Sequence, residues 1–117
     1  MQYNRVILMG RLTRDPETRH TNGGTSVTKF GLAVNEKWGK GAEARERTCF
    51  VDCVAWAGLG EVIAKHLRKG DPILLEGALT FSTWETAGEK RSKHEVRVAE
   101  FKFVSTSSRE EVEEIPF

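Results

Sequence analysis

Arg47-Thr48-Cys49-Phe50-Val51-Asp52-Cys53-Val54-Ala55-Trp56-Ala57 is the stretch that decides the fold. Side chains of a strand point alternately to its two faces. Cys49, Val51, Cys53 and Ala55 therefore share one face and are small and apolar, as a narrow barrel interior requires. Phe50, Asp52, Val54 and Trp56 share the other, which directs two large rings outward. The pattern then changes period. Leu59, Val62, Ile63, His66 and Leu67 fall on one helical stripe, suited to plugging the end of a barrel. Arg68 and Lys69 favour the helix C-terminus, and Gly70 is placed to end it.

Working outward, a first strand is expected from about Arg5 to Leu12, apolar on both faces, so one face meets the core and the other a second subunit. Asp15-Pro16 begins a turn or a bent continuation of the strand, and Asn22-Gly23-Gly24 is the strongest hairpin signal in the chain. A second strand follows over about Ser26 to Asn35, then a polar loop at 36–46. After the helix come strands over about Pro72 to Trp84 and Lys93 to Ser105, separated by a charged loop at 85–92. Val96 and Val98 are out of phase with Phe101 and Phe103, which predicts a bulge near Ala99-Glu100. Three strands, one helix and two strands make a mainly all-β chain, a five-stranded OB-fold barrel with the helix between the third and fourth strands. Residues 1–105 form that domain and 106–117 a short acidic tail.

The 117 residues suffice for one domain, and a 38% hydrophobic content supports a packed core. No apolar run approaches the ~18 residues of a membrane span, and Met1 to Arg5 lack a signal peptide's cleavage region. The expected place is inside the cell, in the cytoplasm. Cys49 and Cys53 would stand roughly 13 Å apart on one strand face, too far for a disulfide. Both are expected to be buried thiols in a reducing compartment. From Arg109 onward one arginine meets four glutamates, leaving 17 basic and 13 acidic residues in the body. A body at +4 beside an acidic tail suits a polyanionic ligand.

Four large aromatics fall outside the expected core. Trp38 lies in the first charged loop, Phe50 and Trp56 on the outer strand face, and Trp84 at the start of the second loop. Their basic neighbours are Lys37, Lys40, Arg47, Lys69, Lys90 and Arg91. Exposed rings interleaved with cations suit unpaired bases, which stack on aromatic faces while lysine and arginine track the phosphates. Stacking reads no base edge, so binding is expected to tolerate any sequence. The alternative for each ring is a core or subunit contact. In the tail, Glu113 and Glu114 lead into Ile115-Pro116-Phe117, an apolar tip with flanking negative charge that can anchor in a hydrophobic pocket ringed by basic residues.

These features resemble the bacterial single-stranded DNA-binding protein family. The likeness lies in Asn4 to Leu12, Asp15-Pro16-Glu17 with Arg19, Asn22-Gly23-Gly24, Leu67 to Gly70, Glu76-Gly77, Trp84 and the Ile115-Pro116-Phe117 tip. It implies an OB barrel, usually a homotetramer, with stacking at Trp38, Phe50, Trp56 and Trp84 and phosphate contacts that include Arg5 and Lys69. It further implies a tip that recruits replication, recombination and repair proteins. Three departures stand out. Phe50 occupies a position where the family commonly has tryptophan. Asp52 replaces a common basic residue. Only about a dozen residues separate the last strand from the tip, so its reach is short.

Catalysis is not expected. Gly39-Lys40-Gly41-Ala42-Glu43-Ala44 fits a loose dinucleotide pattern but lacks the strand-to-helix context. His20, His66 and His94 are scattered, with no metal-ligand or nucleophile partner, and no cofactor is expected. The remaining alternative is an OB module devoted to protein recruitment. Such a module would need neither the aromatic surface nor the acidic tip. Duplex recognition is disfavoured because the single helix is amphipathic and core-bound.

Overall fold

The structure, a computed structural model, describes residues 1–104. Its order is β1 (Val6–Leu12), β2 (Glu17–His20), β3 (Ser26–Trp38), a 3-10 turn (Gly41–Glu43), β4 (Arg45–Trp56), α1 (Ala57–His66), β5 (Pro72–Thr86) and β6 (Glu89–Phe103). The strands run in the order β1-β5-β6-β4-β3-β2, and β1 also pairs with β3. That second pairing, Arg11 with Ala33 and Leu12 with Leu32, closes five strands into a barrel. The short β2 pairs with the first residues of β3, Ser26 to Lys29, through the Asn22-Gly23-Gly24 turn, where the sequence predicts a hairpin.

Alternation fills the barrel. Leu12, Phe30, Leu32, Cys53, Ala55, Ile73, Leu75, Val96 and Val98 are buried together, and Ile63 and Leu67 of α1 join them from one end. Burying each large side chain contributes about 1.5–3 kcal/mol. The expected bulge is present. Glu76 faces Glu100 while Gly77 faces Val98, so Ala99 is the extra residue. It restores phase, and Phe101 packs against the same core as Val98.

Three expectations need correction. The two charged loops are shorter than expected: β3 runs on to Trp38 and β4 begins at Arg45, and β5 and β6 meet at a two-residue turn, Ala87-Gly88. Cross-strand pairing extends the ladders past the barrel, and the two hairpins stand out as arms of a molecule 52 × 35 × 33 Å in extent. Cys49 is exposed. It keeps the inward phase of Cys53, but it pairs with Val34 on the projecting arm, where β6 no longer covers it. The α1 stripe is only partly buried: Val62 and His66 are exposed, while Ile63 and Leu67 carry the packing. Within the single chain, Ile7 on the outer face of β1 is exposed.

Candidate nucleic-acid interface

Register decides which side chains share a face. Directly paired residues point the same way. On β3 and β4, Val27 pairs with Trp56, Lys29 with Val54, Gly31 with Asp52 and Ala33 with Phe50. The parallel β4–β6 pairing sets Val54 beside Arg97. On β6, Arg91, Lys93, Glu95 and Arg97 alternate onto that face, and Arg91 pairs with Trp84 of β5. One outward sheet face therefore carries Phe50, Trp56 and Trp84 together with Lys29, Arg91, Lys93 and Arg97. Phe50 is 73% exposed, Trp84 43% and Trp56 38%. Folding leaves each of these rings more than a third uncovered, at a cost in exposed apolar surface.

Trp38 is placed differently. It pairs with Arg45 and shares its face with Arg47 and Cys49, on the reverse side of the β3–β4 arm from Phe50. The Arg47 guanidinium lies 5.3 Å from the Trp38 ring centroid and reaches Glu36 at 3.0 Å. The four predicted aromatics are thus three on one face and one around the edge. Lys37 and Lys40 are exposed near that edge.

Two further predicted cations sit elsewhere. Arg5 is held by Glu76 at the β1–β5 side, and its pKa is raised by side-chain hydrogen bonds with Tyr3 and Glu76 and by their charge. Lys69 lies in the turn after α1, where its backbone N–H donates to the Asp15 carboxylate at 2.8 Å. This bond brings Lys69 next to the Arg14-Asp15 segment.

Several cations on the face, Lys29, Lys93 and Arg97 among them, are not among those the sequence singles out. Lys29 sits between Thr28 and Phe30, and Arg97 between Val96 and Val98. A charge interrupting an apolar strand run marks an outward position, and that signal was present. Arg97 lies 5.6 Å from the Trp56 ring centroid. Lys93 and Arg14 converge on Asp52, at 3.2 Å and 3.8 Å. Lys93 also approaches Glu95 at 3.6 Å. Asp52, in the centre of the face, is thus neutralised locally by two cations. Both ends of these pairs touch water, so each pair contributes little to stability.

Comparison with known proteins converges on one family. The model of the single-strand binding protein family matches residues 3–104. A single-stranded DNA-binding protein of Thermotoga maritima is 40% identical over 114 residues, spanning 96% of this chain and 81% of that protein. One of Treponema pallidum is 42% identical over 93 residues; the match takes in 80% of this chain but 53% of that protein, so the chain spans about half its length. Among solved structures, the Plasmodium falciparum SSB in complex with ssDNA superposes with a TM-score of 0.80 at 27% identity, covering 90% of this chain and 97% of the other.

Proposed function

The chain belongs to the single-strand binding protein family, and from that premise we propose that it binds single-stranded DNA, with little sequence preference, on the outer face of the barrel. The observation that carries this reading is the convergence of Phe50, Trp56 and Trp84 with Lys29, Arg91, Lys93 and Arg97 on one sheet face. Unpaired bases lay their flat faces on the rings, each contact contributing about 1–3 kcal/mol. The cations neutralise phosphates and release counterions, which makes affinity fall with salt. Bases inside a duplex are already stacked and cannot reach the rings.

Trp38 extends the path. A strand leaving Phe50 crosses the edge of the β3–β4 arm, past Lys37 and Lys40, to stack on Trp38 beneath Arg47. Arg5 and Lys69 add phosphate contacts at the borders, and Arg5 must exchange Glu76 for phosphate to do so. The exposed Ile7, 59% uncovered on the outer face of β1, supports assembly into a homo-oligomer, a tetramer in this reading. The tip, Glu113 to Phe117, lies outside the described residues. Its acidic and apolar composition supports a role in recruiting replication, recombination and repair proteins.

Alanine substitutions test the face. Phe50→Ala and Trp84→Ala should each weaken binding of labelled oligo-dT by about 1–3 kcal/mol without lowering the melting temperature. Unchanged affinity in both would remove the stacking account.

A further inference from the structure

Stacking reads no base edge, yet a carboxylate stands among the rings. Asp52 lies on the outward face of β4 between Phe50 and Trp56, and its side chain is 41% exposed. We propose that Asp52 reads one base of the bound strand by accepting a hydrogen bond from an exocyclic amino group, so that cytosine, adenine or guanine is favoured over thymine at that point of an otherwise tolerant path. The inference rests on the binding function proposed above and gives its face a specificity-determining residue.

Position follows from register. Phe50 precedes Asp52 by two residues, roughly 7 Å along the strand, and Trp56 follows it by four, roughly 13 Å. The carboxylate therefore stands in the row of the rings rather than beside it. A base lying on Phe50 with its sugar turned away from Asp52 presents its pairing edge to the carboxylate. Across the ladder Asp52 pairs with Gly31, which has no side chain to cover it. A Cβ at Gly31 would come within 3.1 Å of the Arg14 guanidinium, so the bare backbone lets Arg14 lie toward Asp52. On the other side, the parallel pairing of Cys53 with Val96 sets Glu95 beside Asp52 on the same outward face.

The local chemistry has acceptors to spare. A carboxylate donates nothing and offers about four lone-pair sites. Arg14 lies 3.8 Å from one Asp52 oxygen, too far for a hydrogen bond, and Lys93 lies 3.2 Å from the other. Lys93 is also shared with Glu95 at 3.6 Å, whose Oε2 is buried and accepts no hydrogen bond among the described residues. Two carboxylates thus draw on one lysine, and Asp52 keeps acceptor sites on the open side of the face. Bases differ at the edge that meets it. Cytosine, adenine and guanine carry an amino group, whereas thymine carries a carbonyl oxygen in its place. The amino group makes a charge-assisted hydrogen bond with the carboxylate, and the carbonyl oxygen is repelled by it.

The test compares oligo-dC with oligo-dU at pH 8, by fluorescence polarisation, on the unaltered protein, Asp52→Ala and Asp52→Asn. The two bases share one ring and differ at the amino group and the ring nitrogen beside it. Intrinsic differences between the oligomers cancel when the ratio of their affinities is compared across the three proteins. The ratio of dC to dU affinity should fall about fivefold in Asp52→Ala, the low end of what one good base-edge contact discriminates. Asp52→Asn should lose the preference too, because its amide offers a carbonyl to cytosine and an NH2 group to uracil. A ratio taken within one protein is insensitive to a loss of folded fraction, so a destabilised variant still decides the question. Variants that shift both affinities by one factor would show that Asp52 acts through charge alone, and would overturn the base contact while leaving the stacking face standing. No binding of either oligomer by the unaltered protein at low salt would overturn the binding function, and the base contact with it.

Discussion

Asp52 sets the electrostatics of the aromatic face. It stands between Phe50 and Trp56 with Arg14 at 3.8 Å and Lys93 at 3.2 Å. On the proposed path, a carboxylate there would repel phosphates and occupy two cations that would otherwise meet them. Asp52→Asn should therefore tighten binding of oligo-dT at low salt by about 1 kcal/mol, roughly fivefold, with the gain fading as salt rises. Titration of the variant beside the unaltered protein checks this; equal or weaker binding would place Asp52 off the path. One residue along, Cys53 is fully buried, and burial pushes its thiol pKa from 9.0 up to about 12, with Asp52 and Glu95 adding to the rise. Between those values the unfolded chain releases the proton and the folded chain keeps it, so stability falls as pH rises above 9. Cys53→Ala should flatten that fall in chemical denaturation measured across pH 8 to 11. A native thiol reagent at neutral pH should label the exposed Cys49 alone.

The two hairpin arms carry three of the four predicted aromatics beyond the barrel or along its rim. Their geometry depends on turn chemistry. Ala87 and Gly88 both have positive φ, 53° and 82°, the pair of values a two-residue type I′ turn needs. Glycine takes this conformation freely, whereas alanine carries about 1–2 kcal/mol of strain. Ala87→Asn should raise stability by about 0.5–1 kcal/mol without altering DNA affinity, measured by denaturation and titration. A loss of stability would show that the turn is held by something other than its backbone preference. The elements themselves were legible. Alternation in 47–57 and the helical stripe after it placed the barrel and its plug, and the phase break at Ala99 placed the bulge. The arms were not legible, because charged residues at 36–46 and 85–92 resemble loops in sequence, while backbone pairing across a hairpin holds strands regardless of side-chain polarity. The same cause hid the face. That Trp38 stands on the reverse side from Phe50 follows only from the continuous pairing of Trp38 with Arg45.

At the scale of the molecule, the closed barrel makes a rigid support and leaves one curved sheet face and two arms for contact with a ligand. The barrel interior uses apolar residues of one phase, which frees the other phase for rings and cations. Neither set can be moved without the other, since a shift of one residue in register exchanges them. The account's central claim is that unpaired bases stack on tryptophan at this face and its edge. Trp38, Trp56 and Trp84 are the only tryptophans in the chain, and all three lie on the proposed path. Intrinsic tryptophan fluorescence, followed as oligo-dT is added at low and at high salt with duplex of equal length as control, tests the claim most directly. The account predicts strong quenching by oligo-dT, little by duplex, and an affinity that falls as salt rises. Binding of oligo-dT without quenching would contradict stacking, and no binding at low salt would leave an OB barrel whose task is to recruit proteins.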